Sequence, residues 1–187
     1  MNPEIFYDDG AVRVRDMIVS DARVITDAEL AQGWHATVDK YLTRLAHQRE
    51  GRCTALVAEY RGEVAGYIHI YPGSSSGAFA GRGWPEIVDF GVLEKFRRRG
   101  VGGRLMDVAE QIAARYADTV YLGVGLHSGY GSAQRMYVKR GYVPDGSGVW
   151  YRDAVCPPYS ACANDDDLVL YMVKKLIHHE QSGTALR

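Results

Sequence analysis

Residues 86–106 read EIVDFGVLEKFRRRGVGGRLM. The first seven positions are rich in β-branched and apolar residues, as a strand requires, and a helical pattern begins at Val101. Between the two stands Arg97-Arg98-Arg99-Gly100-Val101-Gly102-Gly103-Arg104. Free N–H groups at a helix start carry partial positive charge and accept phosphate oxygens. Glycines at such a turn remove side chains that would hold a phosphate away, and arginine adds forked donors. Chemically the segment is an anion cradle at a strand–helix junction; the plainer alternative is a tight turn with a solvated cationic flank. Spacing excludes two common cradles. The Walker pattern needs Gly-Lys-Ser/Thr, but Gly103 is followed by Arg104-Leu105, and the dinucleotide fingerprint needs a glycine where Leu105 stands.

Composition narrows the anion. The chain has 187 residues, enough for one domain with a real core, and 22 basic against 23 acidic side chains leave a formal net charge of −1. Five of the basic residues, Lys95, Arg97, Arg98, Arg99 and Arg104, crowd into one decade, whereas a nucleic-acid binder spreads basic residues over a face. A small polyanion suits this pattern and nucleic acid does not. The cysteines, Cys53, Cys156 and Cys162, are odd in number and lack framework spacing, which predicts a reducing, cytoplasmic setting. The start MNPEIFYDDG lacks a signal peptide's basic and apolar regions, and no apolar run approaches the roughly 20 residues of a membrane span.

The surrounding pattern predicts a strand over 12–17, helices over 26–34 and 37–48, and a hairpin of strands 53–60 and 63–71 turning at Arg61-Gly62. Residues 72–85, PGSSSGAFAGRGWP, read as an irregular loop. Strand 87–92 follows. The helix from Val101 places Leu105, Val108, Ala109, Ile112, Ala113 and Tyr116 on one face. Strand 119–126, a short helix over 132–139, and strands 149–152 and 168–173 complete the set, with a frayed tail over 178–187. Hairpin and crossover connections together predict an α/β (α+β mixed) fold: one domain over 1–187, core about 12–176, with a mixed sheet and helices on its faces.

The segment Phe96 to Met106 resembles the acetyl-CoA-binding motif of the GNAT superfamily of N-acyltransferases, Arg/Gln-x-x-Gly-x-Gly/Ala, matching at Arg97, Gly100 and Gly102. Tyr137-Val138-Lys139-Arg140-Gly141-Tyr142 is similar to that family's Tyr-x-x-x-Gly-Phe, with tyrosine in the phenylalanine place, and the apolar run 167–176 resembles its last strand. The resemblance spans residues 86–176; the N-terminal half fits in element order alone. It implies a sheet splayed in a V between strands 87–92 and 119–126. Pantetheine would lie in the split along the backbone of Phe90, Gly91 and Val92, with the pyrophosphate on the amides of Arg98, Arg99, Gly100, Val101, Gly102 and Gly103, flanked by Arg97 and Arg104. The implied activity is transfer of an acetyl group from acetyl-CoA, as co-substrate and without a metal, to a primary amine of a small molecule or peptide. A non-catalytic CoA-binding or regulatory module of the same fold is the alternative.

An amine is mostly ammonium near neutrality and must lose a proton before attacking a thioester. Glu86 is the first choice of base because it opens the strand that leads to the cradle, and several family members carry a catalytic glutamate at the corresponding place. Strand alternation predicts Glu86, Val88, Phe90 and Val92 on one face and Asp89, the reserve base, on the other. The alternative for Glu86 is a solvated strand-edge carboxylate. The resemblance assigns Tyr137 as the acid that protonates the departing thiolate, and a backbone N–H near Val92 as the oxyanion donor; the plainer reading of Tyr137 is a core aromatic on a face with Ala133, Met136 and Arg140. Many family members have asparagine seven places before this tyrosine, where this chain has Tyr130, so the pantetheine contact at that helix start is expected from Ser132 at a capping position.

Other clusters read as structural. Cys156 and Cys162 flank Pro157-Pro158 without a histidine pair to complete a metal set, and His178-His179 lie in the tail. Cys53 sits mid-strand as a small apolar residue, and Asp165-Asp166-Asp167 read as a charged loop before the last strand, the alternative being that with Trp150 and Tyr159 they attract a cationic substrate. The sequence identifies neither the acceptor amine nor the oligomeric state, a homodimer included.

Overall fold

The computed structural model describes residues 3–176. The expected tail and His178-His179 therefore lie outside the described residues. Nine strands form one mixed sheet in the order β1-β2-β3-β4-β5-β6-β9-β7-β8. They are β1 (Ile5–Asp8), β2 (Val12–Asp16), β3 (Thr54–Tyr60), β4 (Glu63–Tyr71), β5 (Glu86–Val92), β6 (Thr119–Gly125), β7 (Val143–Tyr151), β8 (Ala154–Val155) and β9 (Leu168–Lys175). Among the described residues four α-helices accompany them: α1 (Val19–Ala31), α2 (Val38–Arg49), α3 (Val101–Ala113) and α4 (Gly131–Lys139). The single mixed α/β domain with helices on both faces agrees with the sequence reading. Among the described residues no helix is long and apolar enough to cross a membrane.

Strand alternation builds the two faces. In β3, Leu56 and Ala58 join α3's Leu105, Ala109 and Ile112 in the larger core, while Ala55 and Val57 turn to Ile25 of α1 and Tyr41 and Leu45 of α2. A third apolar patch, Phe79, Tyr121 and Tyr171, lies under the loop 72–85 with Trp84 and Trp150 beside it. At roughly 1.5–3 kcal/mol for each fully buried large side chain, the α3 core dominates the stabilisation.

Besides the unexpected two-residue strand β8 and shifts of one to three residues at other ends, three differences from the sequence reading have clear causes. Strand β1 is unexpected; it is a four-residue edge strand whose residues are all exposed or half-buried, too short and mixed to show a pattern. Helix α1 begins at Val19, seven residues early, because its inner face carries polar Asp21, Thr26 and Glu29 beside Ala22 and Ile25. Asp21 accepts from the Ile18 N–H at 2.8 Å and holds Arg15 through Nη1 at 2.7 Å and Nη2 at 3.0 Å. Glu29 accepts from the hydroxyls of Tyr41, at 2.5 Å, and Tyr67. Strand β7 starts at Val143 and not Val149: its pairing with β9 jumps from Pro144↔Met172 to Val149↔Leu170, so residues 145–148 bulge from the ladder and disguise the strand as a loop.

Candidate active site

Among the described residues strands β5 and β6 are the only parallel neighbours, and just two positions register between them, Glu86↔Tyr121 and Ile87↔Leu122. Beyond these, β5 remains paired with β4 and β6 with β9, so two strand edges diverge and face each other across a split. This is the V that the sequence resemblance implied.

Helix α3 starts beside the split. Gly100, at φ +84°, turns the chain into the helix, a backbone conformation that disfavours any side chain. It has no side-chain cap, and the first helical bond runs from the Arg104 N–H to the Gly100 carbonyl at 3.1 Å. The N–H groups of Val101, Gly102 and Gly103 precede that bond and are left as helix-start donors. A Cβ at Gly103 would meet nothing within 4 Å. At Gly102 it would stand 3.1 Å from Cζ of Phe90 and 3.3 Å from Cγ2 of Val92, so this glycine lets α3 press onto β5. These features fit a diphosphate: uncapped donors, open space and flanking cations.

The arginines divide their work. Arg97 lies over Trp34 at 5.4 Å and Arg99 over Tyr60 at 5.2 Å, while Arg98 is exposed with φ +60°. Arg104 is engaged elsewhere, 4.7 Å over Tyr7 and 3.5 Å from Asp107.

Strand β5 corrects the expected alternation. Its pairing with β4 passes from His69↔Val88 to Tyr67↔Gly91, so Asp89 and Phe90 together oppose Ile68, and Asp89 takes φ +50°. This bulge reverses the parity of the strand. Phe90 and Val92 pack towards α3, and Phe90 lies 6.3 Å from the Tyr137 ring. Asp89 turns to α2, where Arg44 meets it through Nε at 2.7 Å and Nη2 at 2.6 Å, with Lys40 at 3.4 Å. Glu86 is on that same side, since its cross-strand neighbour Tyr71 binds Arg44 and His47 of α2 at 2.7 and 2.6 Å. Gly91 is bare because a Cβ there would lie 2.5 Å from the Tyr67 ring.

The two carboxyls therefore differ by environment. Burial would raise the Asp89 pKa, but His69, Lys40 and Arg44 outweigh it and hold the carboxyl well below its usual range. Glu86 is half-buried; burial raises its pKa, and nearby Tyr121 and Ser74 pull only partly the other way. Glu86 is the better proton acceptor near neutrality, and Asp89 is a fixed anion.

Tyr137 sits on the α3 face of the sheet, opposite the Glu86 face, 6% exposed, between Phe90 and Tyr142, whose ring is 5.7 Å away. Arg140 ties its helix to α3 through Nε to Glu110 at 2.9 Å and Nη2 to Asp107 at 2.8 Å. Burial, then the Tyr130 hydroxyl, push the Tyr137 phenol well above its ordinary value and keep it protonated. The capping expectation for Ser132 fails. The helix begins at Gly131 after a short turn, its cap position is Tyr130 with no side-chain bond, and Ser132 is exposed in the first turn. Tyr130 instead donates to Asp166 at 2.9 Å, with His127 at 3.0 Å from the same carboxylate oxygen.

Sequence reasoning missed Lys40, Arg44, His69 and Tyr121, which reach the site only through sheet register and helix docking. Among the described residues no group of three or more His, Cys, Asp or Glu side chains could hold a metal ion.

Residues 20–142 match the profile of the acetyltransferase (GNAT) family. No curated protein matches the chain by sequence. Among solved structures, it is similar to Ard1 from Thermoplasma volcanium, with a TM-score of 0.64 and 22% identity over 89% of this chain and 99% of that one. It is similar to yncA from Salmonella typhimurium, solved with its cofactor acetyl-CoA, with a TM-score of 0.63 and 19% identity over 90% and 96% of the two chains. A Salmonella typhimurium acetyltransferase that modifies the N-terminal serine of ribosomal protein L7/L12 gives a TM-score of 0.68 and 10% identity over 93% and 100%. At these identities the structural likeness concerns the fold.

Proposed function

Because the chain belongs to the acetyltransferase (GNAT) family, we propose that it transfers an acetyl group from acetyl-CoA directly to a primary amine, in the cytoplasm and without a metal. The observation that carries the reading is the uncapped, glycine-lined start of α3 opening beside a split in the sheet. In this reading the N–H groups of Val101, Gly102 and Gly103 hold the diphosphate, with Arg97, Arg98 and Arg99 on its rim. The unpaired edge of Phe90, Gly91 and Val92 lies along the pantetheine arm, and Arg104 braces the helix. Acetyl-CoA supplies the activated acyl group.

Glu86 takes one proton from the incoming ammonium, a C–N bond forms at the acyl carbon as its C–S bond breaks, Tyr137 protonates the departing thiolate, and the second proton lost by the nitrogen returns through water to the Tyr137 phenolate. Glu86 and Tyr137 stand on opposite faces of the sheet, which supports an amine arriving from the α2 side while the carrier occupies the α3 side. The N-terminal acceptor of the Salmonella relative makes a peptide amine one candidate class; a small amine is the other.

Two measurements test the proposal. Acetyl-CoA at 100 times its Kd should stabilise the protein by about 2.7 kcal/mol, a rise of several degrees in Tm. Release of free CoA should depend on an added amine. No stabilisation at millimolar acetyl-CoA would overturn the assignment of the cradle.

A further inference from the structure

The chain has five lysines, and their settings differ. Lys95 is bound to Glu63 at 2.7 Å, Lys174 to Glu110 of α3 at 2.6 Å and Lys175 to Asp118 at 3.1 Å, while Lys139 is exposed in the last turn of α4. Among the described residues only Lys40 is ion-paired to β5. Its Nζ is 3.4 Å from Oδ1 of Asp89, the residue that bulges from the strand immediately before Phe90. It also stands 5.6 Å from the centre of the Tyr67 ring, and that ring is what a Cβ on Gly91 would touch at 2.5 Å. These two contacts place the amine on the α2 side of residues 89–91, where the carrier's arm lies in the proposed reaction.

Lys40 is poorly placed for a purely structural cation. Thr37 caps α2 by accepting the Lys40 N–H at 3.4 Å, so Lys40 stands in the first turn, where the helix dipole favours anions and opposes a positive side chain. Asp89 does not depend on it, because Arg44 already meets that carboxylate at 2.7 and 2.6 Å. The Lys40 side chain keeps 37% exposure against 25% for Arg44. An ion pair this open contributes little, so the amine is free to exchange Asp89 for another partner.

We infer that Lys40 is a self-acetylation site, modified in cis by the acetyl-CoA bound to the same chain. The inference rests on the acetyltransferase reading and goes beyond it. The Lys40 ammonium gives one proton to solvent, and its nitrogen forms a C–N bond at the acyl carbon as the C–S bond breaks. Tyr137 protonates the departing thiolate, and the second nitrogen proton returns through water to the Tyr137 phenolate. The product is a neutral amide in the first turn of α2, with Arg44 still bound to Asp89.

The test incubates the whole protein with acetyl-CoA and no added amine, and maps acetylation by peptide mass spectrometry. One acetyl group should accumulate at Lys40, at a first-order rate that does not change with protein concentration. Lys40 should outpace exposed Lys139 by about tenfold or more, the least that holding both reactants together provides. Excess CoA, competing for the cradle, should suppress labelling of Lys40 and leave Lys139 unchanged. K40R keeps a cation beside Asp89 and should hold the wild-type Tm while losing the label. K40C reads the placement without acetyl transfer: given CoA disulfide, its thiolate displaces one CoA thiolate and forms the mixed disulfide about tenfold faster than exposed Cys162 does. Equal labelling of Lys40 and Lys139, or labelling of Lys40 that excess CoA does not suppress, is ordinary chemical acetylation and overturns the inference. So does a K40C protein that captures CoA no faster than Cys162. A rate that rises with protein concentration overturns transfer in cis. If an added amine is acetylated while Lys40 stays unmodified, the inference falls and the transferase reading stands; if acetyl-CoA fails to stabilise the fold, both fall.

Discussion

Asp89 and Arg44, 45 residues apart in sequence, meet through two guanidinium nitrogens at 2.7 and 2.6 Å. The pair fastens α2 to the bulge in β5 and leaves Asp89 as an anchor. Asp89→Asn strands Arg44 and Lys40 in a partly desolvated place. It should cost about 2–3 kcal/mol at pH 7, below the 3–5 expected for a fully buried pair because the Asp89 side chain keeps 21% exposure. The folded-state pKa is depressed, so this stabilisation is present above the ordinary value of 3.8 and is lost as pH falls below it. Urea unfolding of wild type and variant should therefore differ at pH 7 and converge in acid.

Glu86→Gln should lower kcat/KM for the amine by about 10²–10⁴-fold while acetyl-CoA affinity holds. Burial raises the Glu86 pKa, so the base must be ionised at a pH above the ordinary 4.5. Wild-type activity should rise with pH through that displaced value, and the variant's profile should lack this limb.

Tyr137→Phe keeps the ring between Phe90 and Tyr142 and removes only the hydroxyl. The fold should survive, and kcat should drop by about 10²-fold with little change in KM for acetyl-CoA. Single-turnover measurement of acetyl transfer checks this. An unchanged chemical step would return Tyr137 to the core aromatics.

Gly100→Ala meets no neighbour, since nothing lies within 4 Å of a Cβ there, but it places a side chain at φ +84°. The strain should cost about 1–2 kcal/mol and lower Tm by roughly 2–8 °C. Relaxation of the turn should also weaken acetyl-CoA binding, which titration calorimetry would read against wild type.

Local chemistry explains what was legible beforehand. The α3 stripe of Leu105, Val108, Ala109 and Ile112, the Arg61-Gly62 hairpin and the glycine–arginine junction all announce themselves within a few residues of sequence. What stayed hidden depended on partners far along the chain. The start of α1 was masked because Asp21 and Glu29 are buried against Arg15 and two tyrosines, so its inner face does not look apolar. The β5 bulge reversed the faces of Phe90 and Asp89, since one extra residue against Ile68 undoes an alternation that sequence alone presents as regular. Tyr121 reads as an ordinary strand residue until the parallel register sets it beside Glu86.

Two rungs at the centre of a nine-stranded sheet also have a mechanical meaning. The wings on either side are each well laced, but the seam between them has little backbone bonding of its own and depends on side-chain packing for its angle. A ligand laid along that seam acts as mortar as well as reagent: it couples the wings, so that amide protection on one side comes to depend on occupancy felt from the other.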